Sequence, residues 1–253
     1  LERNQIAAQL YTIREYLKTP SDIAASLKRV RDIGYQAVQI SGMGPIGPAE
    51  LKKMTDDLGL EICNTHIDYK RMEEDLAGVI EEHEIYGCRY IGIGGLPGEY
   101  RNADGYHRFA VAASKIAAAL AAEGFIFIYH NHSFELERYG DRTGLQILYE
   151  DSDPTVFMAE IDVHWIQRGG ADPAAWIRSL SGRIPTVHLK DMAVRDNAPI
   201  MAEIGEGNLN WEAILSACED AGVEWYIVEQ DDDFKEDPFT SLKISYRNLL
   251  RMI

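Results

Sequence analysis

Residues 156–192 hold three segments in turn, VFMAEIDVHW (156–165), DPAAWIRSL (172–180) and IPTVHLKDM (184–192). The outer two are apolar runs of strand length. The middle one opens on Asp-Pro and repeats its apolar residues at helical spacing. Strand, helix and strand at this spacing form the unit of a parallel sheet with a right-handed crossover.

The same alternation continues in both directions. Upstream, a strand-like run from Ile6 to Tyr11 precedes Thr-Pro-Ser-Asp (19–22) and the helix-like IAASLKRVRDIG (23–34). AVQIS (37–41) then pairs with PAELKKMTDDLG (48–59), and EICNTHI (61–67) with a helix over about 71–86. CRYIGIGG (88–95) precedes YHRFAVAASKIAAALAAEG (106–124), and FIFIYHNH (125–132) precedes a helix near 143–151. Downstream, NWEAILSACEDAG (210–222), VEWYIVEQD (223–231) and PFTSLKISYRNLLRMI (238–253) complete eight βα units. Eight such units predict one α/β domain over residues 1–253, a (β/α)8 TIM barrel. An open doubly wound sheet is disfavoured, because GIGGLPG (92–98) lacks the GxGxxG spacing and has no helix directly behind it. The stretch 193–208 reads as irregular and is expected to be a lid or active-site loop.

The 253 residues are 46% hydrophobic and 26% charged, which suits a globular domain of this size. A formal charge of −16, from 25 Lys+Arg against 41 Asp+Glu, argues against nucleic acid as a partner. Cys63, Cys88 and Cys218 show no paired spacing and read as core residues in a reducing compartment. No run reaches the roughly 18 apolar residues of a membrane span. LERNQ leads into IAAQLYT without a signal-peptide core, so a cytoplasmic location is expected. Homo-oligomer formation is left open.

Polar clusters stand at the ends of five apolar runs: THID (65–68), YHNH (129–132), EIDVH (160–164), VHLKD (187–191) and VEQD (228–231). The C-terminal strand ends form the functional face of such a barrel. Buried His, Asp and Glu there need a common partner. Strand alternation puts Glu160, Asp162 and His164 on one side of strand six, Thr186, His188 and Lys190 on one side of strand seven, and His130 and His132 on one side of strand five. His130, Asp162, His188 and Glu229 are therefore read as ligands of one divalent metal ion. Two imidazoles and two carboxylates suit Mn or Zn first, then Co or Fe, better than Ca or Mg.

Blander readings hold elsewhere. A single histidine at a strand end is more often a hydrogen-bonded structural residue than a ligand, which applies to His66 and His164. With Gln9 and Trp165 these two are assigned to the substrate-facing wall rather than to the metal. His83 and His107 fall on helices among polar neighbours and are expected to be solvated. Asp231, Asp232 and Asp233 are expected to be a solvated loop.

At these residues the chain resembles the xylose-isomerase-like TIM-barrel superfamily, often labelled sugar phosphate isomerases/epimerases, which includes ketose 3-epimerases, inosose isomerases and dehydratases, and endonuclease IV. The resemblance covers essentially the whole chain and is carried by EIDVHWIQRGGADPAAWI (160–177), VHLKDM (187–192), EIGEGNLNW (203–211) and VEQD. It implies ligands after strands five to eight, which fall on His130, Asp162, His188 and Glu229. The family's strand-five Glu is replaced in Tyr129-His130-Asn131-His132, with His132 or Glu135 as substitute ligands for His130. Trp165 stands where the family has a His three positions after the Asp, and His164 is one residue nearer.

The expected activity is a metal-dependent isomerase or epimerase acting on a sugar, keto-sugar or cyclitol by proton transfer next to a carbonyl, with dehydration as the alternative. Glu229, Glu160 and His132 are the candidate bases, and Lys190 the holder of a developing oxyanion. An endonuclease IV-like phosphodiesterase and a non-catalytic sugar-binding barrel rank below these.

Overall fold

The computed structural model describes residues 1–253. Eight strands, β1 (Ile6–Gln9), β2 (Ala37–Ile40), β3 (Glu61–His66), β4 (Tyr90–Ile93), β5 (Ile126–His130), β6 (Phe157–Asp162), β7 (Thr186–Leu189) and β8 (Trp225–Val228), pair in sequence order. All pairs are parallel, and β8 returns to β1 to close the barrel. Each connection carries helix outside the barrel, and a cluster of 60 buried residues fills the space between strands and helices. The alternation in the sequence thus gives the single (β/α)8 architecture.

Inside the barrel the layers differ in chemistry. Ala7, Ala37, Cys63 and Ile227 form a small apolar cluster, separate from the main core. Two residues further along their strands stand Gln9, Gln39 and Glu229, so the interior turns polar towards the C-terminal mouth. A register shift between β2 and β3 skips Cys63 and pairs Gln39 with Asn64, which brings a second amide to this level. All three cysteines are buried and free. No helix is long and apolar enough to cross a membrane.

Several boundaries depart from the sequence reading, each for a local reason. β6 stops at Asp162 because its carboxylate takes the backbone N–H of Trp165 at 2.9 Å and caps a short helix, Val163–Arg168. Residues 193–208 are not wholly irregular. Asp191–Arg195 and Ala198–Ala202 form an antiparallel hairpin, turned by Asp196 and Asn197 at φ 51° and 61°. His83 is not solvated: it is buried, with Nδ1 donating to the Val79 carbonyl and Nε2 facing Thr65 Oγ1, both at 2.7 Å. His107 is partly exposed and paired with Asp151.

Candidate metal centre

The floor of the site is a closed hydrogen-bond layer around Glu160. Glu160 Oε1 accepts from Asn64 Nδ2 at 2.7 Å and Thr186 Oγ1 at 2.9 Å. Its Oε2 accepts from His66 Nε2 at 2.6 Å and lies 3.2 Å from His188 Nε2, while Gln39 Nε2 reaches both oxygens at 3.1 Å. The carboxylate is completely buried and has no open side towards the mouth. Glu160, expected among the bases, therefore sits beneath the chemistry and orients two histidines. Burial alone would raise its pKa, but His188 and His66 outweigh that and hold it well below the usual carboxylate range.

Gln9 is drawn into the same layer. It donates to Gln39 Oε1 at 2.6 Å and accepts from Tyr11 N at 3.1 Å, and it is fully buried and does not border the cleft. His164 is also turned away, because the helix that begins at Val163 ends the strand alternation; its Nδ1 meets the Asp191 carbonyl at 3.1 Å.

Above the floor, one ligand atom from each of His130, Asp162, His188 and Glu229 lies within 4.8 Å of all the others. The four residues are buried and come from the ends of β5 to β8 or the residue just beyond. His188 Nδ1 and Glu229 Oε2 are 2.8 Å apart yet have no hydrogen-bond alignment with each other or with any other group. His130 Nδ1 meets the Gly94 carbonyl at 3.3 Å, which turns Nε2 to Asp162 Oδ2 at 3.2 Å. Burial and the charge on His188 lower His130 to about 4, so its ring is neutral and Nε2 faces a carboxylate as a second acceptor. Four ligand atoms that converge within 4.8 Å, with His188 Nδ1 and Glu229 Oε2 left without a hydrogen bond, are what a cation would satisfy. The donor set thus fits a divalent ion of the Mn or Zn type.

The electrostatics of the cluster's own side chains are those of a carboxylate-rich pocket. Burial opposes charge on His188, but Glu160 and Glu229 outweigh it and raise the imidazole to about 10. A ligand nitrogen there gives up its proton on metal uptake. Burial likewise opposes charge on Lys190, and Asp162, Glu229 and Asp231 keep it protonated.

These groups open on a cleft of about 560 Å³, lined among others by His66, His130, His132, Trp165, Lys190 and Glu229. His132 stacks on Phe134 at a ring distance of 5.5 Å, lies tilted against Trp165 at 5.4 Å, and makes one wall. Burial first, and then His130, lower its pKa to about 3, so it is a neutral imidazole. Glu135 is not in the cleft. It is buried behind His132, accepting from the Tyr129 hydroxyl at 2.7 Å and His132 N at 2.9 Å. Tyr11, Arg14, Ser41, Arg168 and Met201 line the rim, with Asp231, Asp232 and Asp233. Asp231 is thus no solvated loop residue, since its Oδ2 accepts from Lys190 Nζ at 2.8 Å. Sequence reasoning also missed Gln39 and Asn64; the signal was a lone amide inside each of AVQIS and EICNTHI.

A closed parallel barrel with this cluster at its C-terminal mouth defines a class, and comparison with known proteins gives the family. The chain belongs to the xylose isomerase-like TIM barrel family, whose model matches residues 27–242. It is 24% identical to a rhizopine catabolism protein of Rhizobium meliloti, over 89% of this chain and 80% of that protein. It is 22% identical to an inosose dehydratase of Geobacillus kaustophilus, over 90% and 86%. A solved structure of a sugar phosphate isomerase/epimerase from Parabacteroides distasonis superimposes with a TM-score of 0.82 at 24% identity, covering 97% of each chain. At that identity the structural likeness establishes the fold.

Proposed function

We propose that this chain is a divalent-metal-dependent enzyme that moves a proton next to a carbonyl of a sugar, keto-sugar or cyclitol, giving isomerisation or epimerisation. The observation that carries this reading is the convergence of four ligand atoms, two of them 2.8 Å apart without a hydrogen bond, at the base of a polar cleft. The cleft volume of about 560 Å³ suits a small polyol. A bound ion there supplies Lewis-acid polarisation of a carbonyl and its neighbouring hydroxyl.

The chain's own residues do the rest. Glu229 borders the cleft and offers a carboxylate to the acidified C–H. The Lys190 ammonium, 2.7 Å from Glu229, provides positive charge where an oxyanion develops. Trp165 and His132 form an aromatic wall for the C–H face of a ring, and Arg14 and Arg168 bring donors to its hydroxyls. His66 holds the far side of the cleft, fixed by Glu160.

Dehydration is the second reading, and one observation favours it. The strand-five side presents the neutral imidazole of His132 rather than a second carboxylate, so the site has one dominant base. Lys190 beside it could protonate a departing β-hydroxyl.

The test is incubation of the manganese-loaded protein with a panel of keto-sugars and inososes in deuterated water, followed by NMR. The expected result is deuterium at a carbon next to the carbonyl, with loss of a hydroxyl if dehydration follows. Turnover that leaves every such carbon undeuterated, with substrate deuterium not carried to product, would refute proton abstraction.

A further inference from the structure

Lys190 occupies a place where a metal ion would compete with it. Its Nζ lies 3.0 Å from Asp162 Oδ2, 2.7 Å from Glu229 Oε2 and 2.8 Å from Asp231 Oδ2, and the side chain is buried. Asp162 and Glu229 belong to the four-residue ligand set, and Asp231 does not. Yet only the Asp231 contact is aligned as a hydrogen bond; the other two are close approaches of charge. A buried ammonium among three carboxylates offsets part of their charge, and removing it would leave more charge without a partner.

Asp231 is itself held in place. Gln230 Nε2 donates to the carbonyls of Asp232 at 2.9 Å and Asp233 at 3.2 Å, and Arg14 Nη2 donates to the Asp231 carbonyl at 3.0 Å. The loop after β8 thus presents a fixed carboxylate one hydrogen bond away from the ligand set. Repulsion between an entering divalent ion and a fixed ammonium grows as they share oxygens, whereas an ammonium with another carboxylate at hand can withdraw.

We propose that Lys190 is an exchangeable internal counter-ion: it offsets part of the charge on Asp162 and Glu229 while the metal is absent, and Asp231 draws it aside when the metal enters. The proposal rests on reading His130, Asp162, His188 and Glu229 as a metal site. Asp231 then acts on metal affinity through Lys190, not through its own charge. The structure assigns it a role that an acidic rim residue would not otherwise have.

The test is Mn²⁺ titration by calorimetry on chelator-stripped full-length protein, in a cycle of wild type, Asp231→Asn, Lys190→Met and the double variant. Asp231→Asn is expected to weaken Mn²⁺ binding about tenfold and Lys190→Met to tighten it about tenfold. In the Lys190→Met background the Asp231 substitution is expected to change affinity by less than about twofold. An equal cost in both backgrounds would mean that Asp231 acts only by its field, and would overturn the exchange. Unchanged affinity in Lys190→Met would also overturn it. Should stripped Lys190→Met unfold, the rate of Mn²⁺ transfer from loaded protein to a chelator replaces the titration: Asp231→Asn speeds release only where Lys190 is present, and equal acceleration in both backgrounds refutes the proposal. Wild type that takes up no Mn²⁺ would instead remove the metal reading itself.

Discussion

Gln39 Oε1 lies 2.6 Å from His188 Nε2, and this contact decides which nitrogen of His188 faces the ligand carboxylates. The Gln39 amide is not free to flip, since its Nε2 is directed at Glu160, an acceptor-only carboxylate. Its oxygen therefore takes the Nε2–H of His188 and leaves Nδ1 beside Glu229. Partners of this kind orient a ligand and set its basicity, and losing one typically costs about 10- to 100-fold in metal affinity. Gln39→Leu is expected to lose that much in a Mn²⁺ titration. Unchanged affinity would mean that Glu160 alone orients the ring.

Asp191 should prove structural although it sits in VHLKD beside the site. Its carboxylate accepts from the backbone N–H groups of Met192, Gly205, Gly207 and Leu209 and from Trp211 Nε1, between 2.7 and 3.2 Å. It thereby ties residues 203–211 to the end of β7. Asp191→Ala strands these buried donors and is expected to cost about 3–5 kcal/mol in urea denaturation of the metal-free protein. A loss below about 1 kcal/mol would show that the segment holds without it.

Glu135 gives a pH dependence of known sign. Burial raises its pKa from an ordinary 4.5 to about 7, with the Tyr129 and His132 donors only partly compensating. The folded state therefore binds this proton more tightly than the unfolded chain does. Its contribution is fully present below about pH 4.5 and is lost as pH rises through about 7, a change of up to about 3 kcal/mol. Glu135→Gln removes this titration, so it should gain stability relative to wild type between pH 5 and pH 8. The check is urea denaturation of both proteins at the two pH values, and a constant difference would contradict it.

His130→Glu restores a carboxylate at the strand-five position and tests whether the imidazole serves a purpose there. A carboxylate is an acceptable ligand, so metal binding should persist. Turnover should fall by at least about tenfold, because an added negative charge weakens the Lewis acidity of the ion. Turnover at the wild-type level, measured on the loaded enzyme, would show that the substitution is neutral.

Much of this was legible in the sequence. The eightfold alternation of apolar runs and helical spacing led to a closed barrel, because each run had a separate helix behind it. That His130, Asp162, His188 and Glu229 come together was legible because each stands at the C-terminal end of a barrel strand. Gln9 and Glu160 were misplaced in role, since polar letters at strand ends do not tell whether a side chain meets solvent or another strand's amide. Glu160 is sealed by groups from three other strands, and nothing near it in the chain announces them. His164 was lost to a local competition, in which the Asp162 carboxylate starts a helix where an extended run was expected. Asp231 looked like a solvated acid until Lys190, from the neighbouring strand's end, was placed beside it.

The central claim is that four strand-end residues hold one divalent ion, and metal content tests it most directly. Wild type and Asp162→Asn are purified in parallel, dialysed against the same manganese and zinc concentrations, and assayed by mass spectrometry of the bound metals. The expected result is about one ion per chain in wild type and little or none in Asp162→Asn, with the variant still folded by circular dichroism. Full occupancy in Asp162→Asn, or none in wild type, would contradict it.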